Sequence, residues 1–292
     1  MRSVTIESFG EMRDERRVVL IRITNGNGMR VELLNLGASV RSIVVPDREG
    51  VLTDVALGFD TVKAYENDRH LIGTTLGRVA GRIRDARYAI DSREYFLAQN
   101  DHPHHRNGGA KSPLSKKIWN YTLLEEGNGV VFTVRSHDGD EGYPGNAIVQ
   151  VSYVLTNHNE ILVQYSANTD KSTLMNLSSN FYLNLDGNEV QACLGLQRNR
   201  QNLIWFKNTI SSCMRFDAGM ELDGIAGKEG NNYKQCSAFV VGCRGFEDAC
   251  NQGNQGRDRR LNPYFQAHFP SISLRPDQLY QHITIYRFSL IE

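Results

Sequence analysis

The chain has 292 residues, of which 40% are hydrophobic and 23% charged, so it can bury a substantial core in one large domain or two ordinary ones. Thirty-three basic residues balance thirty-three acidic residues, which argues against electrostatic attraction to nucleic acid or to an anionic membrane. We therefore expect a neutral small molecule or a protein as the partner, and neither nucleic acid nor a membrane.

The start of the chain and its cysteines indicate the compartment. The first residues lack the apolar run of a signal peptide, and no apolar run approaches the roughly 20 residues of a membrane span. The five cysteines are odd in number and all lie in the C-terminal half, which favours reduced thiols over a disulfide framework. We expect a cytoplasmic protein.

The first part of the chain predicts short strands separated by turns. The expected strands are residues 18–24, 29–45 and 54–59. The run Asn25-Gly26-Asn27-Gly28 is a hairpin signal between the first two strands, and residues 46–50 break the chain before the third. Asp60 is expected to cap a short helical turn that includes Glu66.

Clearer strand patterns follow. The expected strands are residues 88–97, with Asp91-Ser92 as the turn of a hairpin, then 128–135, 147–156, 160–169 and 282–291. Val149, Val151 and Tyr153 alternate with polar positions, which predicts a strand with one buried face. The Asn157-His158-Asn159 turn predicts that strands 147–156 and 160–169 form an antiparallel pair.

Many strands with almost no helical periodicity predict an all-β fold, a large antiparallel β-sandwich. With no internal repeat and no obvious linker, we expect a single domain over residues 1–292. The C-terminal third is the least regular part of the sequence. Gly, Asn, Gln and Arg crowd together in residues 243–263, which predicts a mobile surface loop there.

An asparagine-rich strand pattern occupies residues 176–187. Asn176, Asn180 and Asn184 stand in an apolar frame, where a strand that only fills a core would carry Val or Ile. Amide groups supply both hydrogen-bond donors and acceptors, the groups that a carbohydrate site needs. This stretch is the first candidate for a binding site.

The same stretch resembles the second active-site strand of the galactose mutarotase (aldose 1-epimerase) family, Asn-Leu-Thr-Asn-His-Ser-Tyr-Phe-Asn-Leu. Three further motifs follow the order of that family. They are Gly-Thr-Thr-Leu-Gly-Arg-Val-Ala-Gly-Arg-Ile at residues 73–83, Asp-Gly-Asp-Glu-Gly-Tyr-Pro-Gly at 138–145, and Phe-Pro-Ser with Leu-Arg-Pro at 269–276. The resemblance implies the β-supersandwich of the mutarotases. It also implies interconversion of the α and β anomers of a hexose such as galactose or glucose, without a cofactor.

The resemblance also implies two proton carriers, a glutamate base and a histidine acid, with a second histidine assisting binding. In this chain Asn180 falls on the position of the acid and Asn107 on that of the assisting histidine. The family's Glu-Thr-Gln segment has no clear counterpart. Arg82 keeps the second arginine of the Gly-Arg-Val-Ala-Asn-Arg-Ile motif, so Arg82, Asn107 and Asn180 are the expected substrate-binding residues.

These departures leave several hypotheses. The first is an aldose 1-epimerase-like protein that has lost its chemistry and binds a carbohydrate or a protein partner. The alternative is a working epimerase that uses His104 or His105 as the acid and Glu247 or Asp248 as the base. A third hypothesis is a relative that acts on phosphosugars, which would need basic residues converging on the cleft. No metal site is expected, because the histidine cluster around residue 104 lacks a remote carboxylate or thiol partner.

Overall fold

The structure, a computed structural model, describes residues 2–183, 236–240 and 271–290. Its first sheet has five antiparallel strands in chain order. They are β1 Ser3–Glu11, β2 Arg17–Thr24, β3 Arg30–Leu34, β4 Ser39–Pro46 and β5 Leu52–Asp54. Helix α1, Val62–Asn67, follows and packs its buried Val62 and Tyr65 on the outer face of this sheet.

Short strands and 3-10 turns connect the two main sheets. The strands are β6 Thr75–Leu76, β7 Arg82–Ile83, β8 Arg87–Ile90, β9 Arg93–Phe96 and β10 His105–Arg106. Strands β8 and β9 form a hairpin, and β10 pairs antiparallel with β7. The 3-10 helices are Arg84–Ala86, Leu114–Lys116 and Asp140–Gly142.

The second main sheet has six strands in the order β11-β12-β13-β14-β19-β17. In chain order, the strands from β11 onward are β11 Asn120–Leu123, β12 Gly129–Ser136, β13 Ala147–Leu155, β14 Glu160–Thr169, β15 Thr173–Leu174, β16 Ser178–Ser179, β17 Cys236–Val240, β18 Ser273–Leu274 and β19 Tyr280–Leu290. The two short pairs β15-β18 and β16-β6 lie outside the main sheets.

The two main sheets share one buried core, which makes the fold a β-sandwich. Its members include Ile21, Ile23, Val31 and Leu33 from the first sheet and Phe132, Val149, Val151, Tyr153, Val163 and Tyr165 from the second. The alternation predicted for strand 147–156 is confirmed, because every second residue of β13 from Ala147 is buried. The all-β prediction and the antiparallel β13-β14 pair are confirmed as well.

The prediction of one strand over residues 29–45 is wrong. The segment forms two antiparallel strands, β3 and β4, that reverse direction at Gly37 and Ala38, both with positive φ. A Cβ on Gly37 would lie 2.5 Å from the backbone oxygen of Ser115, so close approach of a distant segment fixes this turn. Similarly, the strand expected over 54–59 ends at Asp54.

The predicted helix cap is shifted by one residue. Thr61, not Asp60, caps α1, with its hydroxyl accepting from the backbone N–H of Ala64. The Asp60 carboxylate instead pairs with Arg41 of β4. The hairpin turn at Asp91-Ser92 is confirmed, with φ of 50° and 60°. The expected loop at 243–263 lies outside the described residues, and the single domain stays a prediction.

In the described part of the chain, the one α-helix covers six residues, and no helix has the length and apolar character that a membrane crossing requires.

Candidate functional site

Three chain segments that carry the expected binding residues lie side by side. Strand β6 pairs with β16, and Val79 forms a parallel bridge with Asn176, so residues 73–83 run next to the asparagine-rich strand. On the other side, β7 pairs with β10, which places Arg106 directly opposite Arg82. The fold therefore gathers the segments of Arg82, Asn107 and Asn180, which are far apart in the sequence.

Arg82 is held by a carboxylate but stays accessible. Its Nε donates to the Asp101 carboxylate, while 40% of the Arg82 side chain remains exposed. The hydrogen bond from Arg82 lowers the pKa of Asp101, and the charges of Arg106 and His104 act in the same direction. Asp101 is therefore an anion at neutral pH, tied to Arg82 and unsuited to holding a proton.

The side-chain amide oxygen of Asn107 accepts a hydrogen bond from within the protein. Its Oδ1 accepts from the backbone N–H of Gly81 at 2.9 Å, and its own backbone N–H donates to the Gly81 oxygen at 2.8 Å. Both residues have positive φ, 51° at Asn107 and 92° at Gly81. The left-handed conformation suits asparagine and glycine, so this pair fixes the turn that follows β10.

Asn180 is buried and acts as a tie between two backbone segments. Only 4% of the residue is exposed, and its Nδ2 donates to the backbone oxygens of His70 at 2.8 Å and Leu71 at 2.9 Å. Its main chain adds hydrogen bonds to Gly73 and Thr74. Both amide protons of Asn180 are thus used to hold the loop that precedes β6.

Tyr182 connects Asn180 to the basic residues. Burial raises the pKa of the Tyr182 hydroxyl, whereas a hydrogen bond with the Asn180 side chain and the nearby charge of Arg106 lower it. The hydroxyl therefore stays protonated at neutral pH. The hydroxyl of Tyr182 therefore interacts with both Asn180 and Arg106, and the charge of Arg106 also acts on Asp101 of the Arg82–Asp101 pair.

His105 is a buried structural residue. Its Nδ1 lies 2.7 Å from the Ala98 oxygen, and because that oxygen only accepts, Nδ1 carries the proton. Its Nε2 then accepts from the Tyr143 hydroxyl at 2.9 Å. Burial lowers the pKa of His105, although the hydrogen bond to Ala98 acts against this effect. The imidazole is neutral with both nitrogens engaged.

His104 has one ring nitrogen engaged. Its Nδ1 accepts from the backbone N–H of Asp85 at 3.1 Å, so the proton of the neutral ring is on Nε2. The same Nδ1 also lies 3.9 Å from the Asp85 carboxylate, so it faces both the backbone and the side chain of Asp85. The other candidates for catalysis, Glu247 and Asp248, lie outside the described residues.

Arg78, a residue for which the sequence predicted no role, joins two of the motifs. The residue is 2% exposed, and its guanidinium donates to the backbone oxygens of Pro144 and Gly145, both at 2.7 Å. It thereby ties residues 73–83 to the loop at 138–145. Both motifs were visible in the sequence, and an arginine flanked by Gly and Val inside an apolar run was the available signal.

The described residues form a site of fixed hydrogen-bonding groups and charges. No cluster of three or more His, Cys, Asp or Glu side chains that could hold a metal ion occurs among them. Asn107 and Asn180 cannot exchange protons near neutral pH, and His105 has no free ring nitrogen. The arrangement can bind and orient a polar ligand.

Comparisons with known proteins identify the relatives of this chain. The family model "Aldose 1-epimerase" matches residues 19–199, more than half of the sequence. The galactose mutarotase of Bos taurus is 27% identical over 359 positions that cover 99% of this chain and 100% of that protein. The aldose 1-epimerase of Haemophilus influenzae is 36% identical over 170 residues, 58% of this chain and 48% of that protein.

A solved structure supports the same grouping at the level of the fold. The galactose 1-epimerase of Lactobacillus acidophilus superposes with a TM-score of 0.68 at 19% identity, covering 100% of both chains. The alignment with the bovine protein runs over 359 positions, more than the 292 residues of this chain, so the bovine protein carries segments that this chain lacks. With a matching family model, a full-length alignment and a shared fold, the chain belongs to the aldose 1-epimerase family.

Proposed function

We propose that this chain is a non-catalytic member of the aldose 1-epimerase family that binds a carbohydrate, such as a hexose, or a protein partner. The observation that carries the proposal is Asn180. At the position of the family's acid stands a buried amide whose two protons are donated to the His70 and Leu71 backbone oxygens. An amide does not titrate near neutral pH, so it cannot deliver a proton to a ring oxygen.

The histidines near the site do not replace this acid. A general acid must carry a proton near neutral pH and reach the reacting atom within hydrogen-bonding distance. His105 would have to give up its bonds to Ala98 and Tyr143, and its pKa is lowered by burial. In His104 the Nδ1 is occupied by the hydrogen bond from the Asp85 backbone. Both are better suited to holding the loop around residue 104.

The binding part of the proposal rests on what stays accessible. Arg82 is 40% exposed beside Asp101, and Arg106 is opposite it on the neighbouring strand. Such groups can hydrogen-bond sugar hydroxyls or polar groups of a protein without any proton transfer. The odd number of cysteines, all in the C-terminal half, supports a cytoplasmic location for this module.

Restoring the family's histidines tests the proposal. We expect that Asn107→His with Asn180→His produces no acceleration of anomer exchange of galactose, measured by NMR exchange spectroscopy. Asn180→His alone should lower the free energy of unfolding by about 1–3 kcal/mol, because imidazole cannot donate to two backbone oxygens at once and one buried acceptor is left unpaired.

Urea denaturation of the folded variants checks the stability effect, and Asn100→His is a matched control, because the Asn100 side chain also bridges two backbone groups, both of Arg106, but is exposed to water. We expect that control to change stability far less. If the double histidine variant reached exchange rates typical of a mutarotase, a base would have to be present in the chain. That result would contradict the expectation that the family's glutamate base has no counterpart here, and would leave the substitutions at Asn107 and Asn180 as the reason for the inactivity of the parent chain.

A further inference from the structure

Two arginines face each other across the β7-β10 ladder. Arg82 and Arg106 are directly opposite in the antiparallel register, so their side chains leave the same face of this two-stranded ribbon. Like charges in directly opposed positions destabilise a strand pair. Such an arrangement calls for a neutralising group.

The described residues supply only part of that neutralisation. The Asp101 carboxylate accepts a hydrogen bond from the Nε of Arg82 and forms an ion pair with it. The Nη groups of Arg82 and the whole guanidinium of Arg106 make no hydrogen bond or ion pair with any residue in the described ranges. Arg106 is half-buried, and its charge reaches both Asp101 and Tyr182.

Asp68 is another carboxylate of the described residues, and its oxygens are already engaged. The charge of Asp68 also reaches Tyr182, but its two oxygens accept the backbone N–H groups of His70 and Ile72, each at 2.7 Å. The Lys116 ammonium donates to the Asp68 backbone oxygen at 2.9 Å and balances its charge. Within the described residues, the guanidinium of Arg106 therefore has no paired carboxylate, although it lies next to Asn107 in the chain and acts on Tyr182.

From this geometry we propose that Arg82 and Arg106 form an oxyanion subsite, so that the ligand is a sugar that carries a phosphate or a carboxylate. The inference rests on the proposed binding function and specifies its ligand class. Guanidinium groups present several N–H donors in a plane and bind oxyanions more strongly than neutral hydroxyls. An oxyanion between the two arginines would remove the repulsion that the register creates.

Calorimetric titration of the full chain tests the subsite with four probes: galactose, galactose 6-phosphate, galacturonate and inorganic phosphate. We expect galactose 6-phosphate or galacturonate to bind at least about tenfold more tightly than galactose, with an affinity that falls as salt is raised. The comparison of the two anionic sugars identifies phosphate or carboxylate as the recognised group. Tighter binding of inorganic phosphate than of either sugar would overturn a sugar subsite.

Arg106→Gln is the deciding variant. It should weaken binding of the anionic sugar about tenfold and leave the affinity for galactose unchanged within about twofold. The matched control is Arg84→Gln, an arginine two residues after Arg82 with 62% of its side chain exposed, which should change neither affinity. Thermal unfolding of both variants verifies that they are folded.

The failures of the two proposals are distinguishable. Equal binding of galactose and the anionic sugars, or an equal loss of both in Arg106→Gln, would overturn the oxyanion subsite and leave the non-catalytic binding function intact. Protein-accelerated anomer exchange of galactose 6-phosphate that depends on Arg106 would overturn the non-catalytic function while supporting the subsite. Absence of binding by all four probes would overturn the subsite.

Discussion

Replacing Arg78 by methionine is expected to lower the free energy of unfolding by about 3–5 kcal/mol, the largest effect of any single substitution considered for this fold. The guanidinium is buried and makes six hydrogen bonds. Its partners are the Ser136 hydroxyl and oxygen, the Thr173 hydroxyl, and the oxygens of His137, Pro144 and Gly145. Methionine fills a similar volume but leaves these acceptors unpaired, and each unpaired buried group costs about 1–3 kcal/mol before relaxation.

Urea unfolding at neutral pH measures this loss. Arg78→Lys should be nearly as harmful, because an ammonium has three donors on one atom and cannot span acceptors on both sides of the motif. Arg84→Met is the matched control, since the Arg84 side chain is mostly exposed and pairs with Asp85 at 3.5 Å. If the urea midpoint of Arg78→Met were close to that of the parent chain, the motifs at residues 73–83 and 138–145 would have to be joined by something other than this side chain.

Substitution of Glu32, which lies on the outer face of the first sheet, is expected to have the second large effect on stability. Its carboxylate is 3% exposed and contacts three arginines, Arg22 at 2.9 Å, Arg30 at 3.6 Å and Arg41. Glu32→Gln leaves these cations without their shared anion and should lower the free energy of unfolding by about 2–4 kcal/mol at pH 7.

The pH dependence of that effect follows from the pKa of Glu32. Burial alone would raise this pKa, but hydrogen bonds and charges from Arg22 and Arg41 lower it below the ordinary value. The folded chain therefore binds the proton less readily than the unfolded chain. The stabilisation is complete above the unfolded pKa of about 4.3 and is lost as the pH falls through the folded value.

Urea midpoints of the parent chain and of Glu32→Gln should thus differ clearly at pH 7 and converge in acid. Asp14→Asn is the control, because Asp14 pairs with Arg16 on the exposed surface and should change stability little. A constant difference between parent and Glu32→Gln from pH 7 to pH 3 would mean that the charge of Glu32 does not stabilise the sheet.

The long strands were predictable from the sequence because their side chains alternate and their turns carry the usual residues. Strands β13 and β14 are the clearest examples, with Asn159 in the left-handed conformation at their turn. Strand β1 was missed because most of its residues are exposed, so no buried face marks it. The reversal at Gly37 depends on a distant backbone oxygen of Ser115, which no local pattern reveals.

At the site, the sequence predicted which residue types occupy the important positions but not what they contact. Asn180 was a candidate ligand contact, yet its amide protons are donated to the loop at His70 and Leu71. The engagement of His105 depends on Tyr143, 38 residues away in sequence. The opposition of Arg82 and Arg106 arises from strands of two residues each, which are too short to give a periodic signal.

The central claim, that this family member binds without catalysing, is tested most directly by polarimetry. Fresh α-D-galactose and α-D-glucose are followed as their rotation relaxes, with purified protein at several concentrations, with buffer alone and with a known mutarotase. We expect the relaxation rate with this protein to equal that of buffer at every concentration. A rate that increases in proportion to protein and disappears on heating would contradict the claim, and would direct attention to His104 or His105 with Glu247 or Asp248 as the proton carriers.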